Sequence, residues 1–204
     1  MLNLRELVDI FLGRIPMDTF AGRRIALPAG AITYAIAFVV VAVLIAIEAF
    51  IFRVGLFFLN KEPLGAFVLS LGLMILAVIV LIPIALIGSL VCTYIWGAVH
   101  YFLARFFSNK PGSLNDFNGS FLTLFGSIKL AEGIVFLVPV LGWIAACIIQ
   151  LYGLFLDFKF VKSKFNLTEA QAAIVVLLPV VIVLGILVFI AFAVSFALIG
   201  TRLF

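Results

Sequence analysis

LGAFVLSLGLMILAVIVLIPIALIGSLVCTYIWGAVHYFLARF, residues 64–106, decides the class of this protein. From Leu64 to Val99 it carries no charged side chain, and a membrane-spanning helix needs only about 20 apolar residues. Ile32–Ile47 is a second uncharged run. The whole chain agrees: 67% of its residues are hydrophobic and 11% charged, where soluble domains hold about 45–50% and about 25%. The sequence therefore predicts an all-α, polytopic membrane helix bundle, with the lipid bilayer as its principal partner.

Working outward, residues 1–28 differ from everything after them. Leu4, Leu7, Val8, Phe11 and Leu12 recur at helical spacing, with Arg5, Glu6 and Asp9 opposite. Asn3 and Glu6 have the spacing of a helix N-cap and its reciprocal partner. A short amphipathic helix of this kind lies in the membrane interface or packs on the protein's own charged face; the sequence leaves both open. Pro16 and Asp18 interrupt it. The charges at Arg5, Glu6 and Asp9 also rule out the apolar core of a cleavable leader, so the first span is expected to direct insertion. The division expected is a cytoplasmic or interfacial segment, 1–28, and a transmembrane domain, 29–204.

The first span is expected at Ile32–Leu59. As one helix, Leu64–Phe106 would be about 65 Å long, about twice the ~30 Å hydrocarbon thickness. It could be one bent span, with Pro83 as the kink, or two. Charge decides between them. A cytoplasmic N-terminus carries Arg5, Arg14, Arg23 and Arg24, and a single crossing places Arg105 and Lys110 on the same side. The turn at Pro139–Gly142 has no basic residue, and Lys159, Lys162 and Lys164 return to the inside. Two crossings would reverse both later loops, against the positive-inside rule. About five spans follow, the others at Phe121–Val138, Leu141–Leu156 and from Gln171 to about Gly200. The expected location is the cytoplasmic (plasma) membrane, multi-pass, with the N-terminus in the cytoplasm.

Thr168 and Gln171 have capping-box spacing, with Leu167 placed to staple the entry. Gly119, Gly126 and Gly133 recur seven apart, a stripe along which another helix can approach closely. The sequons at Asn118 and Asn166 fall in loops placed inside and are read as chance. Cys92 and Cys147 lie in apolar runs and are read as packing residues.

The net charge of +4 sits in short connections between apolar segments, so no nucleic-acid partner is expected. The sequence has no phosphate loop, nucleophile elbow or His-Glu-x-x-His motif. No enzyme activity, catalytic residue, metal or cofactor is therefore expected. Ionisable groups inside a span still need an account. Glu48 lies in the first span, and Lys129 and Glu132 lie three apart on one face of the third. They form either a polar cavity for a proton or small solute, as in a transporter or channel, or a neutralising pair that locks helix packing. His100, read as an interfacial side chain, and Asp157, at the end of the fourth span, are the weaker candidates.

From Tyr101 onward the order of features resembles the Yip family, the Rab-GTPase-interacting membrane proteins with distant prokaryotic members. The likeness is carried by Tyr101-Phe102-Leu103-Ala104-Arg105-Phe106-Phe107 followed by Lys110-Pro111-Gly112-Ser113 and Asp116-Phe117. It continues in Val138-Pro139-Val140-Leu141-Gly142-Trp143, in Leu167-Thr168-Glu169-Ala170-Gln171-Ala172-Ala173, and in Leu177-Leu178-Pro179. Pro16-Met17-Asp18-Thr19-Phe20 is similar to an entry found in prokaryotic members. The likeness covers roughly the last half of the chain. It departs at Ile128-Lys129-Leu130-Ala131-Glu132, where the family usually has a tyrosine and a proline. The resemblance implies five spans and a membrane-organising or adaptor protein with a protein partner at the cytoplasmic face. Whether the chain forms a homo-oligomer stays open.

Overall fold

A computed structural model describes residues 4–61, 63–108, 112–136 and 141–200, without the side chains of residues 77, 136, 141, 143 and 196–200. Its elements are α1 (Leu4–Phe11), α2 (Met17–Gly22), α3 (Leu27–Asn60), α4 (Leu64–Phe107), α5 (Leu114–Phe136), α6 (Leu141–Phe165) and α7 (Glu169–Gly200). Among the described residues all regular structure is helical, as the sequence predicts. Asn3, Lys110 and the turn at Pro139 lie outside the described residues.

The decisive stretch is one unbroken helix. α4 runs for 44 residues with Pro83 inside it, about 66 Å at 1.5 Å per residue. Pro83 offers no N–H to the carbonyl one turn earlier, yet the apolar run continues helically on both sides. α3, α4, α6 from Ile144 and α7 as far as Ser195 are long and apolar enough to cross a membrane. α5, the expected third span, has 23 residues, about 34 Å. It is the most enclosed helix of the bundle, and its buried polar residues include Asn118, Ser120, Thr123 and Ser127.

Local chemistry sets the helix ends. Thr168 N–H donates to Gln171 Oε1 at 3.0 Å and Gln171 N–H to Thr168 Oγ1 at 3.4 Å, closing the capping box at the start of α7. Leu167 and Ala172 are buried on either side of that cap, as a hydrophobic staple requires. Pro16 does more than interrupt: its extended backbone (φ −56°, ψ 135°) opens α2, a second short helix that the sequence reading did not include.

α5 is the axis of the packing. α3 runs parallel to it, with Gly30, Tyr34 and Val41 against Gly119, Gly126 and Gly133. α4 and α6 run antiparallel to it, Tyr101 meeting Phe117 and Phe160 meeting Phe121. Phe117 sits within 5.3–5.6 Å of Phe165, Phe160 and Phe121. Buried rings of this size dominate core energetics. α2 closes the same end, burying Phe20 against Phe160, while α1 lies farther along the bundle, Leu7 clustering with Ala37 and Leu130. The amphipathic segment thus docks on its own bundle, against α5 and α6, while Leu4 and Leu12 remain exposed.

The other end is different. The buried residues of α3 all lie between Gly30 and Ala37. Ile51, Phe52, Phe58 and Leu59, most large side chains from Leu64 to Leu81 and those from Val181 to Val194 are exposed. By register α3 outruns α5 by about 24 Å, and with α4 it makes a hairpin whose surface is apolar all round. Lipid is the solvent such a surface suits. Inside this hairpin Arg53 Nε donates to Ser70 Oγ at 3.0 Å, with its guanidinium 5.6 Å from the Phe67 ring centre. The list of intramembrane charges read from the sequence omits Arg53.

Candidate functional site

The glycine repeat on α5 builds the scaffold for everything polar. A methyl group on Gly30 would come within 2.7 Å of the Gly119 backbone, and one on Gly119 within 2.8 Å of Ala26. At Gly133 the distance to Val41 Cβ would be 2.9 Å, and at Gly126 the distance to Tyr34 Cα would be 3.3 Å. At Gly30, Gly119 and Gly133 only hydrogen fits without a shift, and Gly126 is tight, which is the close approach that the seven-residue spacing predicts. The seam also delivers the Tyr34 hydroxyl to Ser89 and Thr93 of α4.

One turn past Gly126, the third-span charges meet. Lys129 Nζ lies 2.8 Å from Glu132 Oε2, and Gln150 Nε2 of α6 donates to the other carboxylate oxygen. Glu132 is 5% exposed, so both its oxygens are engaged where an unpaired charge would be costly. Glu48 does not join them. It is half-buried on the part of α3 beyond the end of α5, and no hydrogen bond or ion pair links it to Lys129 or Glu132 among the described residues. Gln150 was legible as a lone amide in an apolar run, but nothing in the spacing ties it to Glu132.

The weaker candidates prove more deeply placed. His100 is not interfacial: it is fully buried, and so is Asp157. His100 Nδ1 lies 3.4 Å from Asp157 Oδ2. Trp96 and Phe121 present ring edges to the imidazole, with centroids at 5.3 and 5.5 Å. Among the described residues neither imidazole nitrogen, neither Asp157 oxygen and not Asn118 Oδ1 has a hydrogen-bond partner. Asn118 Nδ2 donates to the Tyr94 carbonyl at 3.5 Å, and its complete burial removes it as a surface glycosylation acceptor. The interfacial reading failed because only the folded bundle brings α6 across the end of α4.

At the charged end, Lys164 Nζ donates to the carbonyls of Ala21 and Arg23 at 2.8 and 3.0 Å, tying α6 to the entry of α3. Glu6 pairs with Arg23 at 3.8 Å and Lys162 with Glu169 at 2.8 Å. Two polar clefts flank this junction. One, about 660 Å³, includes Pro16, Asp18, Lys159, Lys162 and Asn166 in its wall. The other, about 650 Å³, includes Arg24, Ser113, Asp116 and Lys164.

No protein-family model matches the chain, and neither does any curated protein or solved structure. The geometry therefore has to carry the functional reading. Among the described residues no three His, Cys, Asp or Glu side chains gather as a metal site would require. Cys92 and Cys147 are free and exposed on helix surfaces, not packed in the core. The arrangement offers a rigid charged end, a self-neutralised Lys129–Glu132–Gln150 group and an enclosed His100–Asp157 pair.

Proposed function

We propose that this chain is an integral membrane protein of Yip type, a membrane-organising or adaptor protein that presents its charged end to a cytoplasmic partner. The observation that carries the reading is the bond from Lys164 to the Ala21 and Arg23 carbonyls. It joins the N-terminal segment and the α6 terminus into one preassembled surface. Arg24, Lys159 and Asp18 stand exposed around it, beside clefts large enough for a partner's side chains. A surface held in shape before binding loses little entropy on docking. Its excess of basic groups suits a partner with an acidic patch. The basic residues of this end also favour the cytoplasmic side, and the plasma membrane is the setting in which we place it. A transport role is the weaker proposal, since Lys129 and Gln150 close off Glu132 and Glu48 stands apart.

The test is photocrosslinking in native membranes from probes at Leu12, Arg24 and Lys159, with a control probe at Val188 on the apolar face of α7. The reading expects a protein partner captured from the charged end alone, and lost when Arg24→Glu and Lys159→Glu are combined with the probe at Leu12. Capture of lipid or of the chain itself from every position would defeat it.

A further inference from the structure

Among the polar groups that the docking reading does not use, His100 and Asp157 leave the most buried atoms without a hydrogen-bond partner among the described residues. Both are fully buried, they lie 3.4 Å apart, and among the described residues no other group hydrogen-bonds either side chain. Among the described residues no Lys or Arg is buried to compensate them. Trp96 of α4 and Phe121 of α5 present ring edges to His100, and Asn118 of α5 is fully buried as well. The buried face of α7 carries Ala172, Val175 and Val176. Lys159 lies exposed over the Phe155 ring at 4.4 Å, and Lys129 is committed to Glu132. Asp116 and Arg105 stand on the first turn of α5 and the last turn of α4.

Charge conservation then limits the states of the pair. A carboxylate beside a neutral imidazole would leave one negative charge buried without a counter-ion, which costs several kcal/mol. Adding one proton removes that charge, whether the proton rests on Nδ1 or on Oδ2. With the imidazole's own hydrogen on Nε2, both placements put the added hydrogen between the two atoms that face each other. We propose that His100 and Asp157 together form an interior proton-binding site, which takes one proton from solution as a unit and shares it across the α4–α6 contact. The step is H⁺ plus the anionic pair giving the neutral pair, and no other bond changes. With the proton in place α4 and α6 are joined by a hydrogen bond. Without it the buried negative charge works against the closed interface.

The chain has a single histidine, so its imidazole nitrogens can be read by NMR of ¹⁵N-histidine-labelled protein in lipid without assignment. Carboxyl ¹³C labelling of aspartate reads Asp157, identified by its loss in Asp157→Asn. Two sites that share a proton titrate together, so the unmodified protein should show imidazole and Asp157 signals changing at one common midpoint. Asp157→Asn, which keeps the shape but cannot take the proton, should alter the proton affinity of His100 about tenfold or more. Separate midpoints for the two groups in the unmodified protein would overturn the proposal, even if the variant failed to fold. So would a folded Asp157→Asn protein whose His100 titrates unchanged, or an imidazole that titrates like a free one in water, near 6.5.

Discussion

Gly30→Ala tests the packing logic of the bundle at one atom. The added methyl carbon would stand 2.7 Å from both the carbonyl carbon and the Cα of Gly119. Carbon atoms prefer about 3.5–4.0 Å, so α3 and α5 would have to separate by about 1 Å. The obstructing atoms, among them the still nearer Gly119 carbonyl oxygen, are all backbone, and no side chain can rotate away. Overpacking of this kind costs about 1–3 kcal/mol, and alanine's better helix propensity returns up to about 1 kcal/mol. The net expectation is a loss of about 1–2 kcal/mol. Gly185→Ala is the control, because a Cβ there meets nothing within 4 Å; it should be neutral or slightly stabilising. The assay is reversible unfolding in lipid bicelles by steric trapping, run on both variants against the unmodified protein. Equal stability of Gly30→Ala and Gly185→Ala would refute the close seam between α3 and α5.

Three further outcomes follow from the contacts. Lys129→Met and Glu132→Met should each destabilise the fold, while the double variant recovers part of the loss, with a coupling of about 0.5–3 kcal/mol in a double-mutant cycle. Strict additivity would mean that the 2.8 Å contact contributes nothing. Thr168→Ala removes the acceptor for Gln171 N–H and should cost about 1 kcal/mol, read as faster amide exchange confined to the first turn of α7. Glu48→Gln removes an intramembrane charge that has no partner among the described residues. Its thermal midpoint should therefore stay level or rise, and a clear drop would reveal a partner for Glu48.

What the sequence made legible was whatever depends on neighbours along the chain. The uncharged run from Leu64 could only be lipid-compatible helix, and Thr168 with Gln171 announced a cap through spacing alone. The seven-residue glycine repeat gave the face of α5 that another helix touches, although not that the visitor is α3. Contacts across long sequence separations were not legible. His100 and Asp157 are joined only because α4 and α6 pack on the same central helix, and no periodicity encodes that. Gln150 completes Glu132 for the same reason. α2 was hidden because Pro16, which ends one helical pattern, also has the fixed φ that starts the next. The docking of α1 on the bundle was one of two readings of the same amphipathic pattern, since an apolar stripe looks alike whether lipid or protein covers it.

The whole account depends on which side of the membrane the charged end occupies. Single cysteines placed at Arg24, Lys159 and Lys61 in a chain lacking Cys92 and Cys147, labelled with an impermeant maleimide in intact cells and in inverted vesicles, measure this directly. The account predicts that Arg24→Cys and Lys159→Cys label only from the cytoplasmic side and Lys61→Cys only from the opposite side. Labelling of Arg24→Cys and Lys159→Cys from outside intact cells would contradict it and remove the proposed docking face from the cytoplasm.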